Sequence, residues 1–436
     1  MKKVLVITYY WPPAGGSGVQ RWVKFSKYLR ETEWEPIIYT VENAEYPVLD
    51  ESLKNDLPLN LTVLRGRIFE PFKWYKIFTG KKSGDRVQQG VIEHAKYGTW
   101  KEKLSLWVRS NFFIPDARVF WIKPSISFLK KYLLVNPVDL IVSTGPPHST
   151  HLIALGIKKE LGIPWVADFR DPWTKIFYFN ELTLTKSARN KHNRLELEVL
   201  KGADEVIVVG KGMEEQTKKI FDRKYHVIYN GFDEDDFKNK DIPLPNDGIF
   251  RLTYIGTFLP TQNPKNLWSV IKKLHNQNVI HKGNFQIVLV GNIHPSIVES
   301  LASMNLLPLV NEIPYVPHSE VIIYQKQASV LLLCINNIEN SDVIITGKFF
   351  EYLAANRPIL CISPEKSEIK DIINQYSAGI TFSYTDFENL EHQLIQWLDT
   401  SSHIILNTKP DSHNHFSRRS LTKQLSQIFN NIVQSF

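Results

Sequence analysis

Short apolar runs alternate with amphipathic segments through the first half of the chain. Segments 19–30, 149–161 and 212–221 repeat apolar residues at helical spacing. Between them stand β-branched and aromatic runs that are typical of buried strands. These runs are KVLVITYY (3–10), EPIIYTV (35–41), VDLIVST (138–144), PWVADF (164–169), DEVIVVG (204–210) and HVIYN (226–230). The alternation predicts a parallel sheet covered by helices on both faces.

A second alternating series begins near residue 250. Its predicted strands are FRLTYIG (250–256), FQIVLVG (285–291), EIPYV (312–316), SVLLLCI (329–335), PILCIS (358–363) and GITFSY (379–384). Its predicted helices span 264–277, 295–305, 318–327, 347–355 and 366–375. The polar stretch 233–248, rich in proline and turn residues, separates the two series and is the best linker candidate.

The fold class that this pattern predicts is α/β, with two Rossmann-like, doubly wound parallel-sheet domains. We expect the first domain to span 1–232, with an inserted segment at 65–112, and the second to span 245–417. The helical pattern of 418–436 is expected to pack back onto the first domain.

The composition is that of a globular protein. Of the 436 residues, 43% are hydrophobic and 22% are charged. The net charge of +7 is compatible with nucleic acid, an anionic membrane surface or an acidic substrate, and the total does not choose among them. Cys334 and Cys361 lie in apolar runs, which argues against disulfides and cysteine-bound metal and indicates a reducing compartment. No apolar run approaches the roughly 18 residues that span a bilayer, so we expect a soluble or peripheral protein, which in a reducing compartment would be cytoplasmic.

The inserted segment 65–112 combines aromatic and basic side chains with few acids. These residues are Phe69, Phe72, Trp74, Tyr75, Phe78, Tyr97, Trp100 and Trp107, with Lys73, Lys76, Lys81, Lys82, Arg86, Lys96, Lys101, Lys103 and Arg109. Such a surface, if exposed, would favour the inner face of an anionic membrane and make the protein peripheral. The alternative is a subdomain packed on the first Rossmann unit.

The segment YYWPPAGGSGVQRWVKF ends a strand in a glycine loop and starts a helix at once. Gly15 and Gly16 would allow a ligand close to the backbone. The helix start would offer free N–H groups to an anion, above all a phosphate. The segment fails as a dinucleotide fingerprint, because Arg21 stands at the third glycine position. A flexible turn without a ligand is the alternative.

Two further strand ends in the first half carry polar residues. TGPPHSTH places His148 at the carboxyl edge of the sheet, where open α/β folds bind ligands. Its imidazole would hydrogen-bond a sugar hydroxyl or a phosphate, or else cap the following helix. VADFRDPW supplies Asp168, Arg170 and Asp171, either as ligand contacts or as an Asp–Arg pair that holds the loop.

The second half offers a lysine and a glycine after its first strand. YIGTF ends that strand with Gly256 and Thr257. Lys265, beyond a proline-containing loop, would act as a point charge on a diphosphate or be a solvated surface lysine.

The stretch ITGKFFEYLAANRPILCI is the richest in candidate chemistry. Thr346 and Gly347 start a helix, Lys348 lies in its first turn, and Glu351 follows one turn later. Such a helix start can hold a phosphate while a carboxylate reaches a ribose diol. A Walker loop is excluded, because it would need a glycine at Asp342. The acidic run DEDD (233–236) lies in the probable linker, no zinc-spaced cluster stands out, and no metal site is expected.

Together these motifs resemble the family-four retaining glycosyltransferases, which have the GT-B fold of two Rossmann-like domains facing a central cleft. The resemblance rests on the order and spacing of PPAGGSG, GPPHSTH, ADFRDPW, VIYNGFD, YIGTF and GKFFEYLAANRPIL, and it covers nearly the whole chain. It implies a hexosyltransferase-type enzyme that moves a sugar from a nucleoside diphosphate sugar to a glycan or lipid-linked acceptor in surface polysaccharide or glycolipid assembly. It implies retention of configuration and no metal cofactor. A nucleic-acid partner is not expected, because it would not explain two phosphate-suited loops.

The resemblance also implies roles for single residues. His148, Lys265 and Glu351 are the expected catalytic residues; Lys265 would bind the phosphates and Glu351 the ribose hydroxyls. The expected donor-binding residues are Gly15, Gly16, Gly256, Thr257, Thr346, Gly347 and Lys348. The expected acceptor-binding residues are Asp116, Arg118, Asp168, Arg170 and Asp171.

Two positions depart from the family pattern. The first of the two glutamates that the family often carries would fall at Val343, and the arginine that commonly follows the second-domain glycine is Thr257 here. Lys348 would supply part of the missing positive charge. Two alternatives therefore stay open: a sugar-nucleotide epimerase of the same fold, and a catalytically silent GT-B binding protein.

Overall fold

The computed structural model describes residues 1–44, 46, 49–68, 100–238, 242–338, 341–399 and 411–436. The chain forms two compact units. The first comprises 1–229 and 421–436, and the second comprises 230–420. Most of the predicted insertion, residues 69–99, lies outside the described residues.

The first unit is built on a seven-stranded sheet in the order β3–β2–β1–β4–β5–β6–β7. Its strands are β1 (Lys2–Ile7), β2 (Trp34–Val41), β3 (Thr62–Gly66), β4 (Leu140–Gly145), β5 (Trp165–Phe169), β6 (Glu205–Val208) and β7 (His226–Val227). Neighbouring strands are parallel, and Val6 lies opposite Ile38 on one side and Val142 on the other. Alternate residues of β1 enter two separate apolar clusters, one with Leu5 and one with Val6, so helices bury both faces of the sheet.

The helices of the first unit connect consecutive strands. They are α1 (Ser17–Leu29), α2 (Trp100–Phe112), α3 (Ile122–Val135), α4 (Ser149–Leu161), α5 (Lys186–Gly202) and α6 (Lys211–Lys218). Short 3₁₀ turns span Arg30–Thr32, Glu51–Asp56, Val119–Trp121 and Phe177–Glu181. In α1 the residues at helical spacing, Val19, Trp22 and Val23, are buried against the sheet, which explains why this sequence folds as a helix.

The second unit repeats the arrangement with a six-stranded sheet in the order β10–β9–β8–β11–β12–β13. Its strands are β8 (Phe250–Ile255), β9 (Phe285–Val290), β10 (Val310–Ile313), β11 (Val330–Cys334), β12 (Ile359–Ile362) and β13 (Gly379–Phe382). Its helices are α7 (Glu234–Phe237), α8 (Lys265–Asn276), α9 (Pro295–Ser303), α10 (His318–Gln327), α11 (Gly347–Ala355), α12 (Glu368–Tyr376), α13 (Glu388–Asp399) and α14 (Asp411–Phe416). Short 3₁₀ turns span Pro260–Gln262 and Leu307–Leu309. Every residue of β11 is fully buried, as expected for a central parallel strand.

The last helix, α15 (Arg418–Ser435), packs on the first unit from residue 421 onward. Leu421, Leu425 and Phe429 are buried in the cluster that contains Val6. The ring of Phe429 lies 5.3 Å from that of Trp34, whose indole N–H donates to Asn430 Oδ1 at 3.2 Å. The helix therefore completes the core of the first unit.

The predicted fold class is confirmed, but several elements of both units were not predicted. The edge strand β3 is only partly buried, so its apolar pattern is weak. The helices that were not predicted include α2, α3, α5, α13 and α14. The run DEDD forms the start of α7, where Asp233 Oδ1 accepts from the N–H of Asp235 at 3.0 Å. None of the helices in the described parts of the chain is long and apolar enough to cross a membrane.

Candidate functional site

The order of the first sheet places two candidate loops at one point. The chain adds β2 and β3 on one side of β1, then returns to add β4 to β7 on the other side. In open α/β sheets, ligands bind beyond the carboxyl ends of the strands where the order reverses. The loops after β1 and β4, which carry Gly15, Gly16 and His148, lie at this point. We call these loops the first-unit loop pair.

The glycine loop ends in a helix start that lacks a capping side chain. Gly16 has φ +97° and is exposed, and a Cβ there would meet nothing within 4 Å. The N-cap residue Gly16 has no side chain that could cap α1, and the first turn of α1 contains no acid. Trp11 and Ala14 are buried and fix the base of the loop. The backbone at Gly16 therefore offers an electropositive helix end to the surface.

Arg21 explains why this loop is not a dinucleotide fingerprint. Both Arg21 and Asp168 are fully buried, and they form a two-point ion pair with N–O distances of 2.8 and 3.1 Å. Trp22 and Thr144 also donate to the Asp168 carboxylate, at 2.8 and 2.9 Å. Although burial raises the pKa of Asp168, the charge of Arg21 and these hydrogen bonds outweigh it and hold the pKa below the ordinary value. The pair joins α1 to the ends of β4 and β5.

Arg170 braces the first-unit loop pair through backbone carbonyls. Its guanidinium donates to Gly18 O at 2.7 Å and to Pro146 O. A Cβ on Gly18 would lie 2.4 Å from Arg170 Nη1, so a larger residue here would displace the Arg170 guanidinium from its place. Arg170 is buried, whereas its neighbour Asp171 is exposed.

Asp116, rather than His148, caps helix α4. One carboxylate oxygen accepts from the Ser149 N–H at 2.9 Å and the other from the Ser149 hydroxyl at 2.8 Å. His148 occupies the N-cap position but makes no side-chain capping bond. Arg118 donates to the Tyr9 hydroxyl at 3.2 Å and lies 4.5 Å over the Tyr9 ring. Asp116 thus neutralises the helix end nearest to His148.

His148 lies in a stack of aromatic rings. Its imidazole is parallel to the Trp173 indole at 4.4 Å, and His151 lies 5.8 Å away. Burial is the main cause that holds the pKa of His148 well below its usual range, and burial lowers the pKa of His151 to about 3. Both rings are neutral at pH 7. His148 can therefore exchange a hydrogen bond with a hydroxyl but cannot supply a positive charge to a phosphate.

The second sheet has its own reversal point between β8 and β11. The loop after β8 carries Gly256, with φ +110°, and helix α11 follows the loop after β11. A Cβ on Gly256 would lie 3.4 Å from Lys348 Nζ, so the Lys348 ammonium rests beside the glycine backbone. We call Tyr254, Gly256, Thr257, Lys348 and Glu351 the second-unit site.

Lys348 is held by the ring of Tyr254. Its Nζ donates to the Tyr254 hydroxyl at 2.6 Å and lies 4.1 Å from the ring centroid. The Tyr254 hydroxyl in turn donates to Thr257 O at 2.7 Å, and burial raises its pKa well above the ordinary value, so the phenol stays neutral. Burial lowers the pKa of Lys348 to about 8. Lys348 is therefore still mostly cationic at pH 7.

The start of α11 resembles that of α1. Thr346 is the N-cap residue but makes no capping bond, and its buried hydroxyl has no hydrogen-bond partner within the described segments. No acid stands in the first turn. Glu351, one turn on, accepts from the Gln325 amide at 3.1 Å. A helix end, a cation and a carboxylate therefore share this edge of the sheet.

Lys265 stands apart from these contacts. It is the exposed first residue of α8, and no ion pair or hydrogen bond of its ammonium is found in the described part of the chain. Thr257 is exposed as well. The phosphate role expected of Lys265 stays a prediction.

Residues 87–236 match the model of Glycosyltransferase Family 4. This range holds the motifs GPPHSTH, ADFRDPW and VIYNGFD. Over this range, about a third of its length, the chain is similar to that family. The resemblance inferred from the sequence is thereby confirmed.

Solved structures share the fold over the whole length of this chain. Sucrose-phosphate synthase from Thermosynechococcus elongatus matches with a TM-score of 0.65, at 12% identity, over 100% of both chains. The lipopolysaccharide outer core galactosyltransferase WaaB matches with a TM-score of 0.58, at 14% identity, over 99% of both. A protein assigned as a UDP-N-acetylglucosamine 2-epimerase, from Listeria monocytogenes, matches with a TM-score of 0.51, at 11% identity, over 100% of this chain and 97% of its own. These likenesses show the GT-B fold. Among curated proteins, no sequence matches significantly.

Several residues that were predicted to contact a ligand make hydrogen bonds that hold the first unit together. Asp168 and Arg170 hold the loops together, and Asp116 caps a helix. The binding roles expected of these residues stay predictions. Sequence reasoning missed the partner of Asp168, because Arg21 lies 147 positions away along the chain. It also missed Tyr254, although a polar group in an apolar run was a usable signal, and Gln325, which is followed by the polar residues Lys326 and Gln327 and gave no such signal.

We expect Asp168→Asn to lower the free energy of unfolding of the first unit by about 3–5 kcal/mol at pH 7, because it leaves Arg21 buried without a counter-charge. The folded pKa of Asp168 is lowered, so its contribution is present above the unfolded value of about 3.9 and is lost as the pH falls below it. Urea unfolding of wild type and variant at pH 7 and pH 3, followed by tryptophan fluorescence, measures this difference.

The exposed Asp222 provides the matched control for this substitution. Asp222→Asn should change the stability by no more than about 0.5 kcal/mol. Equal stability of Asp168→Asn and wild type at pH 7 would contradict the proposed importance of the ion pair.

Proposed function

We propose that this chain is a hexosyltransferase-type glycosyltransferase that moves a sugar from a nucleoside diphosphate sugar to a glycan or lipid-linked acceptor. We propose retention at the anomeric carbon and a place in surface polysaccharide or glycolipid assembly. The observation that carries the proposal is the Lys348 ammonium beside Gly256 at the start of α11, where the N-cap residue Thr346 makes no capping bond. Cation, helix end and close-approach glycine are the features that a diphosphate requires.

Lys348 can supply the positive charge that is missing at Thr257. The family commonly has an arginine immediately after the glycine, and this chain lacks that charge. The Lys348 ammonium reaches the same glycine from α11 and is oriented by the Tyr254 hydroxyl. We propose that Lys348 supplies this charge to the diphosphate while Glu351 accepts from the ribose hydroxyls.

The first unit supplies groups suited to hydroxyl and phosphate contacts. We propose that the backbone at the half-buried Gly15 and the exposed Gly16 contacts anionic groups of the substrates and that His148, neutral at pH 7, hydrogen-bonds a sugar hydroxyl. The arrangement needs no nucleophilic side chain. Stabilisation of a leaving diphosphate and orientation of the two substrates supply most of the catalysis in such a site. Because cationic and backbone groups neutralise the phosphates, we propose that transfer needs no divalent metal.

A second candidate function is epimerisation of a nucleotide-sugar, because the chain shares its fold with the protein assigned as an epimerase. An epimerase would convert a nucleotide-sugar without any acceptor. The family 4 match favours the transferase.

A thermal-shift screen against UDP-, GDP-, ADP- and CMP-sugars tests the proposed function. We expect one nucleoside diphosphate sugar to raise the melting temperature, because a ligand that binds the folded state stabilises it. Incubation with that donor and EDTA, followed by NMR, should show the nucleoside diphosphate released and, with water as the acceptor, the free sugar formed first in the anomeric configuration of the donor. An altered but intact nucleotide-sugar would identify an epimerase, and no shift with any donor would contradict both enzymes.

Replacing the proposed diphosphate cation gives a sharper prediction. Lys348→Met should weaken binding of the matching nucleoside diphosphate by about 10- to 100-fold, the effect of losing a hydrogen bond to a charged group. In the protein without ligand, the pKa of Lys348 is about 8. The affinity of the wild type for the nucleotide should therefore fall as the pH rises from 7 to 9, while the affinity of the variant changes little. Calorimetric titration at both pH values measures the dissociation constants.

Lys366→Met is the matched control, since Lys366 is exposed in the same unit. It should bind the nucleotide as wild type does. Wild-type affinity in Lys348→Met would contradict the proposed role of this lysine.

Helix α2 supports peripheral contact with an anionic membrane. Leu104, Trp107, Val108 and Phe112 follow helical spacing and are 43%, 37%, 37% and 67% exposed. The helix has three basic residues and a single acid, Glu102. An exposed apolar face flanked by basic side chains suits the headgroup region of an anionic leaflet.

We expect Phe112→Ser to reduce co-flotation of the protein with phosphatidylglycerol vesicles, because it removes apolar area from this face. Phe387→Ser, at a 48% exposed position of the second unit, should float as wild type does. Failure of the wild-type protein to float with these vesicles would reject membrane contact.

A further inference from the structure

One face of helix α10 is directed at Glu351. His318 and Gln325 are separated by about two helical turns and therefore share a face. His318 Nδ1 lies 4.0 Å from Glu351 Oε1, and Gln325 Nε2 lies 3.1 Å from Glu351 Oε2. Each carboxylate oxygen therefore has its own neighbour on α10.

Gln325 is the closer and more deeply buried of the two. Its side chain is fully buried. An ionised carboxylate can only accept hydrogen bonds, so the amide must present its N–H groups to Glu351. Gln325 Oε1 has no hydrogen-bond partner within the described residues. The bond to Glu351 is thus the favourable contact that offsets part of the cost of burying this amide.

The second carboxylate oxygen is held less tightly. The 4.0 Å separation from His318 is too long for a hydrogen bond. The other ring nitrogen of His318, Nε2, lies 3.4 Å from Asp236 Oδ2. The Glu351 side chain remains 21% exposed. One oxygen is therefore fixed by Gln325, while the other can still take a ligand hydroxyl.

We propose that Gln325 is a positioning residue that fixes the Glu351 carboxylate through Oε2 and so presents Oε1 to the ribose hydroxyls of the donor. This inference rests on the proposed function, because it assumes that Glu351 meets a ribose. Without the amide, the carboxylate can rotate away, and the preference for a ribose over a 2′-deoxyribose falls.

The ribose preference is the readout that separates positioning from simple structural support. The probes are UDP, GDP and ADP, of which the tightest binder is used together with its 2′-deoxy counterpart. Gln325→Met keeps the side-chain volume and removes the donor. We expect it to reduce the ribonucleotide-to-deoxynucleotide affinity ratio about tenfold, as for a lost hydrogen bond to a charged group, while the affinity for the deoxynucleotide stays within about twofold of wild type.

Two controls define the expected coupling. Gln327→Met makes the same substitution on the same helix and should keep the wild-type ratio. In a Glu351→Ala background, Gln325→Met should have no further effect on the ratio, because the two residues act as a unit.

Gln325→Glu provides a second variant of nearly identical shape. At pH 8 its carboxylate repels Glu351, so the ribose preference should be lost. At pH 5 a proton shared between the two carboxyl groups can replace the amide N–H, so the preference should partly return.

The outcomes separate this inference from the proposed function. If a ribonucleotide binds but Gln325→Met keeps the wild-type ratio, the positioning role is overturned and the donor site stands. If the ribonucleotide and deoxynucleotide affinities fall equally, Gln325 only supports the fold and the inference is again overturned. If none of the three nucleotides binds the wild-type protein, the proposed function and this inference fail together.

Discussion

Parallel pairing at the middle of each sheet is the constraint on which the candidate sites depend. Because β1 lies between β2 and β4, and β8 between β9 and β11, each chain segment must leave the sheet and return over one face. The carboxyl ends of two central strands then open side by side with no connection between them. In both units the glycine after the first strand and a helix following the neighbouring strand occupy that opening. The strand order therefore fixes where the candidate sites lie, whichever side chains occupy them.

The two units use charge differently at these openings. In the first unit, Arg21 and Asp168 neutralise each other in a buried ion pair, and the Arg170 guanidinium donates to backbone carbonyls. Together with the neutral His148, this leaves main-chain N–H groups as the polar surface of the loop pair. In the second, the Lys348 ammonium donates to a neutral phenol and interacts with the charge of Glu351, so a cation stands beside Gly256. Electrostatic attraction for an anion is therefore greater at the second-unit site, while the first is better suited to neutral hydroxyls.

The sequence predicted the fold class and the central strands because buried parallel strands are continuous apolar runs, as in VLLLC of β11. It did not predict β3, whose residues are half covered at the sheet edge. The positions of Gly16, Gly256 and Lys348 followed from local motifs, since a strand, a turn and a helix start are adjacent in the chain. The contacts of Arg21 with Asp168 and of Gln325 with Glu351 could not be predicted in this way. Both join residues on different elements, and no local periodicity carries information about such pairs.

The burial of the Lys348 ammonium beside Tyr254 couples ligand binding to the pH of the solution. In the free protein, burial makes the ammonium give up its proton near pH 8. A bound dianionic diphosphate would favour the ammonium and so shift that equilibrium upward. Near and above pH 8, binding would then take up a fraction of a proton from the buffer, and the apparent heat of binding would vary with the ionisation enthalpy of the buffer chosen.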